Sequence, residues 1–122
     1  FINFQILRAS YYHFWGINFY LNGLKDNAYE FFHRALRIDN PYLYSTRYDF
    51  ATMIQQGYQA GIVFEPIADV HQEGIEQIEK IIAEQPENYF FYNYLAEYLN
   101  VFYKFRCVPT DDKIRRKKGP TI

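Results

Sequence analysis

One cysteine, one methionine and one tryptophan occur among 122 residues. A lone Cys107 excludes an intrachain disulfide and any multi-cysteine zinc site. With no histidine or basic helix start near it to lower its pKa, Cys107 is not a candidate nucleophile either. No apolar run approaches the ~18 residues that a spanning helix requires, and no signal-peptide pattern opens the chain. The first residues, Phe-Ile-Asn-Phe, read as the edge of a longer protein. No glycine-rich phosphate loop is present. The net charge is −1, so no global field selects nucleic acid or a membrane.

What the chain has in excess is aromatic surface. Thirteen Tyr, twelve Phe and one Trp make up 21% of the residues. Aromatic side chains each carry a large apolar area, so the core is bulky or rings are shown to something else. Hydrophobic residues at 49% and charged residues at 22% are the mix of one folded domain. Charge is uneven along the chain: residues 1–61 sum to +1, residues 62–105 to −6 and residues 106–122 to +4. The last block, with Arg115-Arg116-Lys117-Lys118, reads as a basic disordered tail able to touch an anionic surface.

Periodicity predicts helices throughout. Residues 9–22 place Tyr12, Trp15, Gly16, Phe19 and Tyr20 at helical spacing, and Asn22-Gly23 supplies a stop. Asp26 is the expected N-cap of a second helix carrying Ala28, Phe31, Phe32, Ala35, Leu36 and Ile38, which ends before Pro41. A third helix is expected over 42–56, followed by a loop bracketed by Gly57 and Gly61. Pro66 opens a fourth helix, running to about Glu84. Its isoleucines are spaced three and four apart, with Glu73, Glu76 and Glu79 between them, which selects helix over strand and gives the glutamates a solvated face. A fifth helix is expected over about 88–105. The expected fold is all-α: about five helices in antiparallel pairs, forming a short right-handed α-solenoid.

The first two helices hold Tyr12-x2-Trp15-Gly16-x2-Phe19, then Gly23, then Ala28-x3-Phe32-x2-Ala35, then Pro41. This resembles the tetratricopeptide repeat, in which small residues let paired helices approach and large ones fill the space around the contact. In that register residues 9–41 are the first repeat. Residues 42–86 are a degenerate second repeat with about ten extra residues near 57–66: Ala51 stands in the first-helix small position, Gly57 at the turn, and Gly74, Ile78 and Ile81 in the second helix. Residues 87–105 are a half repeat carrying Leu95 and Ala96. Arg47 stands where the repeat has a large aromatic residue. Segment 1–8, ahead of the repeats, reads as a capping segment or as the last turns of a membrane helix. A wider resemblance, carried by Asn-Pro-Tyr, Arg-Tyr-Asp-Phe-Ala and Gln-Pro-Glu-Asn before Tyr-x-Tyr-Leu-Ala, is to the C-terminal regions of bacterial O-antigen ligase and polymerase-like membrane proteins. It implies an accessory domain beside a membrane glycosyltransferase, with the chemistry of that family lying outside this segment.

The resemblance to the tetratricopeptide repeat implies a non-catalytic module for protein–protein contact. Its first helices would line a concave groove for a peptide partner with His13, Ile17, Tyr20, Tyr48, Thr52, Gln55, Asn93, Glu97 and Asn100. That set holds no Lys or Arg, which argues against a clamp for a carboxylate terminus, and its Tyr and Asn suit adaptable hydrogen bonding. His13, His33 and His71 lack metal-ligand or catalytic spacing and read as packing or surface residues. No catalytic, metal-binding or cofactor-binding residue is expected. Besides a groove peptide, the expected partners are the membrane domain of a parent chain or a second copy of this one. Nucleic acid is not expected, because base stacking without a basic groove is insufficient. Location follows the parent chain: membrane-associated through an upstream segment, otherwise cytoplasmic.

Overall fold

The computed structural model describes residues 2–101, with side chains from Phe4 onward except that of residue 67. Within them the chain is helical with no strand: α1 (Ile2–Leu21), α2 (Lys25–Leu36), α3 (Leu43–Gln59), α4 (Ile67–Glu84) and α5 (89–101). Consecutive helices pack on one another, α1 on α2, α2 on α3 and α3 on α4. Cys107, the tail residues Arg115–Lys118 and the end of the expected half repeat lie outside the described residues.

The small residues sit where helices come closest. Gly16 is buried against the Phe32 ring, where a Cβ would stand 2.9 Å from the ring. Ala28, Ala35 and Ala51 are fully buried. Gly74 faces Tyr98 of α5, whose ring carbon Cζ would lie 2.6 Å from a Cβ. One apolar cluster runs through these contacts, with Phe32, Phe50, Ile54, Ile78, Ile81 and Tyr98 almost wholly enclosed.

Two helices end by the same device. Beyond α1, Gly23 takes φ +81°, Leu24 N–H donates to Phe19 O at 2.8 Å and Gly23 N–H to Tyr20 O at 3.1 Å. Beyond α3, Gly61 takes φ +86°, Ile62 N–H donates to Gly57 O at 2.7 Å and Gly61 N–H to Tyr58 O at 3.2 Å. Both are Schellman ends, in which a left-handed residue turns the chain back onto the last carbonyls. The α5 start is capped by Asn88, whose Oδ1 accepts from Phe90 N–H at 3.1 Å.

Several expectations are corrected. Residues 2–8 are continuous with the rest of α1, and no helix among the described residues is long and apolar enough to cross a membrane. Asp26 lies in the first turn of α2, with Leu24 at the N-cap and no side-chain cap. The third helix runs on to Gln59, so Gly57 is a buried helical residue and not the turn. Its missing Cβ leaves room for the Phe64 ring, 2.8 Å from where a Cβ would stand. Phe64 pins the 60–66 loop to the core, with Tyr58 Oη donating to its carbonyl at 2.8 Å and Lys25 Nζ to that of Val63 at 2.6 Å. Trp15 remains 39% exposed, because Phe32 fills the space beside Gly16. Ala96 is exposed rather than packed. Arg47, in place of an aromatic, reaches across to Glu84 at 3.1 Å.

Candidate partner-binding surface

The nine groove residues fall into two groups. Those on α1 and α3 are half-buried. His13 is held by α3: its Nε2 lies 2.7 Å from Asp49 Oδ2 and its Nδ1 3.1 Å from Thr46 Oγ1. A carboxylate only accepts, so Nε2 carries a proton toward Asp49, and Nδ1 lies within hydrogen-bond reach of the Thr46 hydroxyl. Asp, His and a hydroxyl in this order are the parts of a nucleophilic triad. Thr46 is only 4% exposed, and the trio links α1 to α3. Ile17 and Tyr20 pack against the core cluster, and burial raises the Tyr20 pKa.

Tyr48 and Thr52 are likewise committed to a neighbouring helix. The Tyr48 ring lies 4.8 Å from that of Tyr94 and about 6 Å from those of Phe90 and Phe91. Thr52 Oγ1 shares a 2.5 Å hydrogen bond with Tyr94 Oη. Gln55 is half-buried on the same helix. The structure therefore brings α1 to α3 and α3 to α5 through residues assigned to the groove, and these are not a free binding set. The exposed members are Asn93, Glu97 and Asn100, spaced four and three apart on one side of α5.

A second polar group joins α2 to α4. Tyr29 Oη donates to Glu73 Oε1, and His33 Nε2 lies 3.1 Å from the same oxygen. The Tyr29 and His33 rings are 4.4 Å apart. Burial, then the hydrogen bond to the Glu73 carboxylate, pushes the Tyr29 pKa up. Glu73 thus departs from the solvated face expected of it. Tyr29 and His33 border a cleft of about 320 Å³ with Glu30, Arg34 and Arg37. Arg34 pairs with Glu30 at 2.6 Å and lies over the Phe31 ring at 5.2 Å, so its charge is already met on two sides. A cleft of about 480 Å³ lies where the α1–α2 turn meets the 60–66 loop, lined by Tyr20, Lys25, Val63 and Glu65 among others. Lys25 is engaged there with the Val63 carbonyl.

His71 is fully buried between two tyrosines, stacked on Tyr58 at 4.1 Å and edge-on to Tyr98 at 5.7 Å. Tyr98 Oη donates to the His71 carbonyl at 3.1 Å. Among the described residues, no group of three His, Cys, Asp or Glu residues is placed to hold a metal ion.

Sequence reasoning did not single out Asp49, Thr46 and Tyr94, the partners that occupy the groove residues. Their only signal is position: each lies on the same helix as a groove residue, Thr46 two places from Tyr48, Asp49 three from Thr52 and Tyr94 three from Glu97. Compared with protein-family models, with curated proteins and with solved structures, the chain finds no match in any of the three.

Proposed function

We propose that this chain is a short tetratricopeptide-like solenoid of antiparallel helix pairs, and that it binds a protein segment without catalysis. The observation carrying this reading is that side chains link alternate helices, α1 to α3 through His13 and α3 to α5 through Tyr48 and Thr52. A solenoid's first helices neighbour one another in that way. The buried small residues Gly16, Ala28, Ala51 and Gly74, all at places where the repeat demands close approach, support the same register.

In this reading the working part of the groove is narrower than its register. His13, Tyr48 and Thr52 hold the helices together, and Asn93, Glu97 and Asn100 meet the partner. Two amides and one carboxylate, in a groove set that holds no Lys or Arg, suit the backbone of an extended peptide of neutral or basic character. The glycosyltransferase-accessory reading rests on the sequence resemblance alone and gains no residue from the fold.

The test is selection of peptides from a displayed library on the immobilised chain, followed by titration of the best binder. Asn93→Ala with Glu97→Lys and Asn100→Ala alters only exposed side chains. It is expected to weaken binding about tenfold or more while leaving the helical signal intact. Selected peptides that bind the triple variant as tightly as the parent would remove these residues from the site.

A further inference from the structure

The outer face of α1 is largely apolar. Phe4, Leu7, Tyr11, Phe14, Trp15 and Leu21 are between 39% and 75% exposed. Phe4, Leu7, Tyr11, Phe14 and Leu21 follow the alternating three- and four-residue spacing of a helix seam, and Trp15 flanks it. All lie opposite the side that packs through Ala9 and Gly16. The one polar residue in the seam, Asn18, already satisfies its amide by donating to Phe14 O at 3.0 Å. Several rings are braced by neighbours, Tyr11 on Tyr12 at 5.6 Å, Phe14 on Trp15 at 5.6 Å and Trp15 on Phe19 at 5.8 Å. They therefore lose little freedom on docking.

Aromatic side chains carry ~150–250 Å² each, so exposures of this order leave roughly 100 Å² on every member and roughly 600 Å² on the face. That is at the upper end for the largest patch of a monomer, about 300–600 Å². It approaches the ~800 Å² per partner of a stable interface. Electrostatics favours one kind of occupant. Helices that lie on lipid are rich in Lys and Arg on their polar face, whereas α1 carries Arg8 as its sole Lys or Arg and no Asp or Glu. A nearly uncharged face presents no repulsion to a copy of itself, and a self-complementary apolar seam is what a twofold interface requires.

We propose that the outer face of α1 docks on the same face of a second copy of this chain, closing a homodimer along the Phe4–Leu7–Tyr11–Phe14 seam. Sedimentation equilibrium of the 122-residue chain at micromolar concentration is expected to give twice the 14.8 kDa chain mass. Leu7→Glu with Phe14→Glu is expected to halve that mass with an unchanged helical signal. Tyr11→Lys, a milder change at the centre of the seam, is expected to weaken the dimer at least tenfold. Tyr89→Glu, on the exposed aromatic start of α5, is expected to leave it intact. A monomeric parent chain overturns the proposal, as does a dimer that survives both seam variants or one that Tyr89→Glu dissociates. A parent chain that stays monomeric but floats with neutral-lipid vesicles would assign the face to a lipid surface instead.

Discussion

A single missing Cβ joins α4 to α5. Gly74 is buried in the middle of α4, and Tyr98, 1% exposed, lies directly over it and donates to the His71 carbonyl one turn back. Two effects oppose each other in Gly74→Ala. Alanine gains about 1 kcal/mol over glycine inside a helix. The new methyl, however, collides with a ring that is itself enclosed and cannot swing away, and overpacking of this kind costs about 1–3 kcal/mol. The contact involves the Tyr98 hydroxyl as well as Cζ, so repulsion is expected to win. Urea denaturation should show Gly74→Ala destabilised by about 1 kcal/mol or more. Adding Tyr98→Phe, which removes the closest atom, should recover part of the loss. Neutral or improved stability in Gly74→Ala would mean that the α4–α5 approach is looser than described.

Between elements, the same helix ending is used twice, and it shows what the sequence could and could not tell. Asn22-Gly23 after an aromatic periodic run is a clear stop, and α1 ends there. For α3 the sequence offers Gly57 and Gly61, and the expected turn fell on the wrong one. Glycine signals a left-handed turn and a close approach equally well. What separates them is Phe64, a loop residue that folds back onto Gly57. That contact is tertiary and leaves no periodic trace. The continuity of residues 2–8 with α1 was hidden for a related reason: no glycine or proline in them marks a boundary either way. The groove fared likewise. Register placed its residues on alternate helices, but the engagement of His13 by Asp49 and of Thr52 by Tyr94 depends on which helices meet. At Gly23 and Gly61 a Cβ would meet nothing within 4 Å, so alanine is opposed only by its left-handed backbone, at about 1–2 kcal/mol. Gly23→Ala and Gly61→Ala are therefore expected to lower stability by similar amounts, whereas Gly57→Ala acts through displacement of Phe64. Unequal losses at the two turns, measured by denaturant titration, would show that one is not a free helix end.

At the scale of the molecule, the aromatic excess is divided between an enclosed core and exposed patches at both ends of the described chain. The enclosed tyrosines give the whole fold a pH limit. Burial raises the pKa of Tyr58 from 10 to about 12, with a smaller push from Glu65. Burial likewise raises Tyr94 and Tyr98, and Tyr29 rises through burial and Glu73. A phenol loses its proton to become charged, so a raised value in the fold means that the unfolded chain ionises first. Below pH 10 both states keep Tyr58 neutral and its contribution to stability is fully present. Between pH 10 and about 12 the unfolded chain gives up protons that the folded chain retains, and stability falls across that window. Because Tyr29, Tyr58, Tyr94 and Tyr98 together span contacts among α2, α3, α4 and α5, their ionisation should be cooperative with loss of the whole fold. Alkaline titration is expected to show the last part of the phenolate absorbance rising together with loss of the helical circular dichroism. Tyr98→Phe should move that coupled step to higher pH, since it removes one of the groups that drive it. Phenolate absorbance that rises to completion while helicity persists would mean that the core tyrosines ionise in place and that their enclosure does not limit the fold.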